Sequence, residues 1–189
     1  MSADFQYFEY LKKTSLLGEI YRSYYLYPRI SKLLIGKVLD VGCGLGGMIR
    51  YRPNTIGVDI NLHNVQYCQE QRLLAHSMTN DLLPFENNQF DSVLLDNVLE
   101  HISRPEPLLK EIQRVLKINC VLVNGVPGAL GMLKDDTHVK FYGEKELKVL
   151  AKNNNFEVQR FSYMPLWRSN LLSNLLKQYC IYSVWKIAC

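Results

Sequence analysis

The sequence holds no CxxC pair and no long apolar or basic run. Its five cysteines, Cys43, Cys68, Cys120, Cys180 and Cys189, are scattered and odd in number. That spacing excludes a disulfide framework and a cysteine-based zinc site, predicts no metal ligands, and suits a reducing, cytoplasmic setting. No stretch of 18 apolar residues is present, so no membrane span is expected. The first 27 residues mix acids, lysines and tyrosines without an uninterrupted apolar core, so no signal peptide is expected either. The formal charge of +4 gathers into no basic cluster, which argues against a nucleic-acid partner. Internal repeats and low-complexity linkers are missing too. A chain of 189 residues with ordinary apolar content is expected to be one domain, residues 1–189, with room for a full core.

What is there is an alternation of strand and helix. Residues 4 to 26 carry apolar positions at spacings of three to five and predict a helix, with a bend at Tyr27-Pro28. Strands are expected at Val38–Val41, Thr55–Asp59, Ala75–Met78, Phe90–Asp96, Cys120–Asn124, Phe156–Phe161 and Tyr179–Ile187. Helices are expected after the glycines at 42–47, from His63 to Arg72, from Pro107 to Leu116, from Gly143 to Asn153 and from Arg168 to Lys177. The pattern predicts a mostly parallel α/β sheet with helices on both faces and right-handed crossovers. The last two strands, either side of an insertion at 162–178, are expected to pair antiparallel at the sheet edge. Residues 1–30 are expected to form a helical cap or lid.

Gly42, Gly44, Gly46 and Gly47 follow the first strand in "KVLDVGCGLGG". Glycines there let backbone approach a ligand, and two spacings fit, GxGxG and GxGxxG. Asp40 weighs against a pyrophosphate, because its carboxylate would repel that anion. It suits a cationic ligand end, or else it satisfies loop amides. Asp59 ends the second strand, where a carboxylate accepts from ribose hydroxyls or caps a helix.

Downstream, "LLPFENNQFDSVLLDNVLEHI" spans Leu82 to Ile102. With "VLDVGCGLGG" and "GVDIN" before it, the chain resembles class I S-adenosylmethionine-dependent methyltransferases, in particular the bacterial group with the "LPF…FD.V…LEH" signature. The resemblance runs over about residues 37–161 and implies a Rossmann-like, seven-stranded fold with S-adenosylmethionine as cofactor and S-adenosylhomocysteine as product. It further implies that Asp40 and the Gly42–Gly46 backbone, with Cys43 and Gly44 between, hold the methionine portion. Asp59 would hold the ribose and Ile60 the adenine. Asn97, through its backbone, and Val98 would lie beside the cofactor. The acid that usually stands five residues before the "LPF" proline is Thr79 here, with Asn80 and Asp81 beside it. Only 18 residues separate Asp40 from Asp59, so the first sheet helix is expected to be stubby.

Direct methyl transfer needs positioning more than acid–base chemistry. His101, on the turn after the fourth strand, and His138, after the fifth, are the candidate bases for a hydroxyl acceptor; holding the shape of the site is the plainer role for each. His63 and His76 read as packing or surface residues. Tyr7, Tyr10, Tyr21, Tyr24, Tyr25 and Tyr27 make up half of the 12 tyrosines and suit a lid or an amphipathic packing face. Arg22, Arg29 and Arg168 are candidates for an acidic group on the acceptor. The expected acceptor is a small molecule, such as a sugar, a surface-glycan precursor or a lipid-linked intermediate, methylated on oxygen or nitrogen. A cofactor-binding scaffold that activates a partner and a nicotinamide-dependent reductase are the alternatives. Peripheral membrane contact through the leucine-rich insertion and oligomer formation stay open.

Overall fold

A computed structural model describes residues 2–13, 15–79 and 82–188. The expected residues Asn80 and Asp81 lie outside that set. In chain order the elements are α1 (Ala3–Lys12), α2 (Leu16–Tyr21), a wide helical turn (Arg22–Leu26), α3 (Tyr27–Ser31), β1 (Val38–Val41), α4 (Gly47–Tyr51), β2 (Thr55–Asp59), α5 (Leu62–Glu70), β3 (Ala75–Ser77) and β4 (Phe90–Asp96). A short turn at Leu99–His101 leads to α6 (Glu106–Val115), β5 (Leu116–Pro127), α7 (Ala129–Met132), α8 (Glu144–Asn153), β6 (Phe156–Met164), α9 (Asn170–Leu175) and β7 (Cys180–Ile187).

The strands form one sheet in the order β3-β2-β1-β4-β5-β7-β6. The first five pair in parallel; β7 runs antiparallel to both β5 and β6. The antiparallel pairing thus falls at this edge, as expected, with β6 outermost and the reversed β7 one place in. Strand order reverses at β1 and β4, which opens a crevice beyond their carboxyl ends.

Both faces are covered. On one, Leu26, Ile30 and Leu34 pack over Val38, Leu94, Val123 and Tyr182. On the other, α6 presents Leu108, Leu109, Ile112 and Val115, a stripe at helical spacing, and α8 adds Leu147 and Leu150. Such wholly covered strands need no polar alternation, which is why β4 and β5 are so apolar. Arg114 of α6 also fastens the "LPF" segment: its guanidinium donates to the carbonyls of Leu83 (3.0 Å) and Phe85 (2.7 Å).

Three expectations are corrected. The helix expected over residues 4–26 is divided into α1 and α2, and the chain stays helical through Tyr27-Pro28. Pro28 sits in the first turn of α3, where no amide is needed, and the Tyr27 amide bonds back five residues to Arg22. The strand expected at Cys120–Asn124 extends over Leu116–Pro127, because β4 and β7 offer it partners along that length. The strand β6 likewise reaches Met164, since Tyr163 and Met164 pair with Ile181 and Cys180. Helix α4 has five residues, as stubby as the short Asp40–Asp59 separation requires. No helix among the described residues is long and apolar enough to cross a membrane.

Candidate active site

The crevice is a cleft of about 2000 Å³. Its floor is the loop after β1. Gly42, Gly44 and Gly46 have φ of 74°, 52° and 72°, the left-handed region that glycine enters without a Cβ penalty. At Gly42 the cost of a side chain is plain: a Cβ there would lie 2.6 Å from Val98 Cγ2. Gly46 is turned the other way, and a Cβ on it would meet Leu73 and Cys68. Its glycine serves packing beneath the loop, and unlike the other expected residues it does not line the cleft. Cys43 lines the cleft and stands against Cys68, and this contact together with burial raises its thiol.

Two acids frame the loop. Asp59 Oδ2 accepts from the Gly44 amide (2.9 Å) and from Asn64 Nδ2 (3.2 Å), and Oδ1 accepts from the Asn61 amide (2.8 Å). Those donors fix the carboxylate; Oδ2 has two and Oδ1 one, so Oδ1 keeps capacity for a further bond. Burial nevertheless raises it above the ordinary carboxylate value. Asp40 is 5 % exposed, and no described residue donates to its side chain. Burial, with the charges of Asp96 and Asp59, pushes it well above the ordinary range.

Asp96 is the third acid of this group. It ends β4 on the same face as Asp40, accepts from Tyr182 Oη (2.6 Å) and Asn97 Nδ2 (3.2 Å), and faces Arg22. Burial raises it despite these partners. Sequence reasoning passed over it as the end of an apolar strand. The signal was its place: it stands at the carboxyl end of β4, as Asp40 and Asp59 stand near those of β1 and β2.

The remaining expected residues fall around the rim. Ile60 is 67 % exposed and lines the cleft, as do Thr79, Asn97 and Val98. The Asn97 amide already donates to the Gly125 carbonyl (2.9 Å), so only its carbonyl remains for a ligand. Asn97 has φ of 56°, which asparagine tolerates better than most side chains.

His101 and His138 converge. Their ring centroids lie 4.7 Å apart, edge to face, and both line the cleft. The Val139 and Lys140 amides both bond the Glu100 carbonyl (2.8 and 3.2 Å), which draws the loop after β5 onto the turn after β4. His101 Nδ1 faces Thr137 Oγ1 (3.0 Å) and Thr137 O (3.3 Å). Burial, then His138, lowers its pKa, so it is neutral near pH 7. His138 Nδ1 faces the Met132 carbonyl (3.1 Å). Between them stands Glu100, another residue that sequence reasoning named only as part of a motif. It is 1 % exposed; burial, with the charges of Asp96 and Asp135, raises it to about 8.

The N-terminal segment contributes residues to the lining of the cleft. Phe5 and Phe8 pack on His63, and Phe8 also meets Tyr67, both on α5. Asn61 Nδ2 donates to the Asp4 carbonyl (2.8 Å). Tyr7, Tyr10, Tyr21 and Tyr27 line the cleft, while Tyr25 turns away to the Pro165 carbonyl and Tyr24 is exposed. Of the three arginines only Arg22 lines the cleft; Arg29 lies over the Tyr25 ring and Arg168 pairs with Glu144 (2.6 Å).

Comparison with known proteins agrees with this geometry. A family model described as a methyltransferase domain matches residues 39–124. The chain is 29% identical over 122 residues to an uncharacterized protein of Methanocaldococcus jannaschii, covering 64% of this chain and 57% of that protein. It is 28% identical over 165 residues to the chloroplastic tocopherol O-methyltransferase of Arabidopsis thaliana, covering 79% and 45% respectively. The chain thus spans about half the length of these curated relatives. Among solved structures, a SAM-dependent methyltransferase from Thermotoga maritima, described as a possible histamine N-methyltransferase, superposes with a TM-score of 0.75 at 18% identity, over 98% of this chain and 100% of that one. Residues 39–124 thus match a methyltransferase domain, and the seven-stranded fold around them is the one that solved S-adenosylmethionine-dependent methyltransferases share.

Proposed function

We propose that this chain transfers a methyl group from S-adenosylmethionine to an oxygen or nitrogen of a small-molecule acceptor. The observation that carries the reading is the floor of the cleft. Three carboxylates, the buried Asp40 and Asp59 and the half-buried Asp96, surround a close-packed glycine loop. A pyrophosphate entering there would meet the three acids at the floor, where Arg22 already faces Asp96, while Lys12, Arg50 and Lys177 line other parts of the cleft. A ligand carrying an ammonium and a sulfonium is favoured by the same charges. That fit argues against a nicotinamide-dependent reductase.

When bound, the cofactor supplies a methyl group activated by its sulfonium. The chain's own residues bind and orient it. The Gly42–Gly44 backbone and Asp40 would hold the methionine end, Asp40 through water or the ammonium. Asp59, held open by Gly44 and Asn61, would accept from the ribose hydroxyls. Ile60 would cover the adenine, and Thr79 would stand near its amino group. Val98 would pack beside the cofactor, and the Asn97 carbonyl would accept. The tyrosine-bearing segment from α1 to α3 would close over the acceptor and exclude water. His101, neutral near pH 7, is able to take a proton from an acceptor hydroxyl. Sugars, surface-glycan precursors and lipid-linked intermediates remain the favoured acceptors.

The test is transfer of a labelled methyl group across a panel of hydroxyl and amine acceptors. Turnover on any of them supports the reading. Cofactor binding with no transfer to any acceptor would favour a scaffold that acts on a partner.

A further inference from the structure

We infer that Glu100, His101 and His138, with Asp135 beside them, form a binding site for a divalent transition-metal ion at the acceptor end of the cleft. One ligand atom from each of the first three lies within 4.8 Å of the others. His138 Nε2 is 3.9 Å from Glu100 Oε1 and 4.0 Å from Asp135 Oδ2. Ligands around one such ion stand roughly 3–4 Å apart, given bonds of about 2.0–2.2 Å. Small side-chain movements close the remaining gap.

The second, independent observation is Glu100 itself. Its side chain is 1 % exposed, and both carboxylate oxygens are buried without a hydrogen-bond partner other than its own amide. A buried carboxyl in that condition stays neutral until something cationic meets it, and is then ready to ionise as a ligand. No lysine or arginine pairs with it among the described residues; the His138 imidazole faces it, and the acids Asp135 and Asp96 stand near enough to act on it.

The surroundings are those of a ligand set. His138 directs Nδ1 at the Met132 carbonyl, which makes Nδ1–H the donor and leaves Nε2, the nitrogen facing Glu100 and Asp135, with its lone pair outward. Thr137 Oγ1 donates to Asp135 Oδ1 and contacts His101 Nδ1, so it fixes both. Two imidazoles with carboxylates favour Zn²⁺, Fe²⁺, Co²⁺ or Ni²⁺ over Mg²⁺. His101, Asp135 and His138 all line the cleft, so an ion there has open positions toward the acceptor. An acceptor hydroxyl taken as a ligand loses its proton to water more readily. Its oxygen then forms the new bond to the methyl carbon while the carbon–sulfur pair stays on sulfur. This deepens the proposed function by naming an oxygen compound able to ligate a metal as the acceptor; ion binding itself does not depend on that reading.

The test uses the full chain freed of metal by chelation and titrated with Co²⁺ without cofactor, followed by visible absorption and by the histidine ring-proton resonances. One site is expected, with visible bands, and with large contact shifts confined to two of the four histidines, His101 and His138, while His63 and His76 show none. Mg²⁺ should neither reproduce nor displace the signal, and Zn²⁺ should erase it. His101→Gln, at a half-exposed position, and Glu100→Gln should each weaken Co²⁺ by at least about tenfold, the scale on which even outer partners act. No Co²⁺ signal, contact shifts at His63 or His76 instead, or wild-type affinity in both variants would overturn the proposal. The resonance measurement needs no variant, so a folding defect cannot obscure it. Because cofactor is left out, failure here is distinct from failure of the methyltransferase reading.

Discussion

At the residue scale the cleft is made by a few side chains whose burial would be unfavourable without a ligand. Gly42 is the sharpest steric case. Alanine there must hold φ near 74° and clear Val98 Cγ2, 2.6 Å away. Gly42→Ala is expected to cost at least about 1–2 kcal/mol from backbone conformation alone, read by chemical denaturation. Adding Val98→Ala should recover the steric part but not the rest, a pattern that a double-mutant cycle detects. Asp96 gives a pH prediction. Its folded pKa is raised above the ordinary 3.8, so the native state holds a proton that the unfolded chain has released. Its contribution is intact below that value and is lost as pH rises through the raised one. Asp40 shifts in the same direction. Asp96→Asn, still able to accept from Tyr182, should therefore flatten the fall in melting temperature as pH climbs from about 4 toward neutrality. An unchanged slope would place the burden elsewhere.

At the scale of elements the N-terminal helix is the part on which closure depends. Helix α1 is held to α5 by Phe5, Phe8 and the bond from Asn61 to Asp4. Aromatic contacts of this kind contribute about 0.5–1.5 kcal/mol each beyond burial. Phe5→Ala combined with Phe8→Ala should release α1 without unfolding the sheet. Trypsin cleavage after Lys12 or Lys13 should then speed up by about tenfold or more, while the main melting transition stays in place. Equal cleavage rates in wild type and variant would show that α1 is already open. In the wild type, S-adenosylhomocysteine should slow the same cleavage, because Tyr7 and Tyr10 line the cleft that the ligand would fill.

At the scale of the whole molecule, the alternation of strand and helix was legible because each parallel strand is covered on both faces and reads as an apolar run. The glycine loop, Asp40 and Asp59 were legible because strand ends carry their own punctuation. Asp96 escaped because its strand reads as continuous core, and only the sheet register sets it on the same face as Asp40. The meeting of Glu100, His101 and His138 was not legible either. It depends on two backbone bonds between segments almost forty residues apart, which leave no periodic trace. Pro28 does not end the helical run, since its place in the first turn of α3 needs no amide. The central claim is that the acidic, glycine-floored cleft holds S-adenosylmethionine, and calorimetric titration with S-adenosylhomocysteine tests it most directly. One molecule should bind per chain, and Asp59→Ala, which removes a charged acceptor worth about 1.5–3 kcal/mol per bond, should weaken binding by about tenfold or more. Binding of NADH in place of S-adenosylhomocysteine, or unchanged affinity in Asp59→Ala, would contradict it.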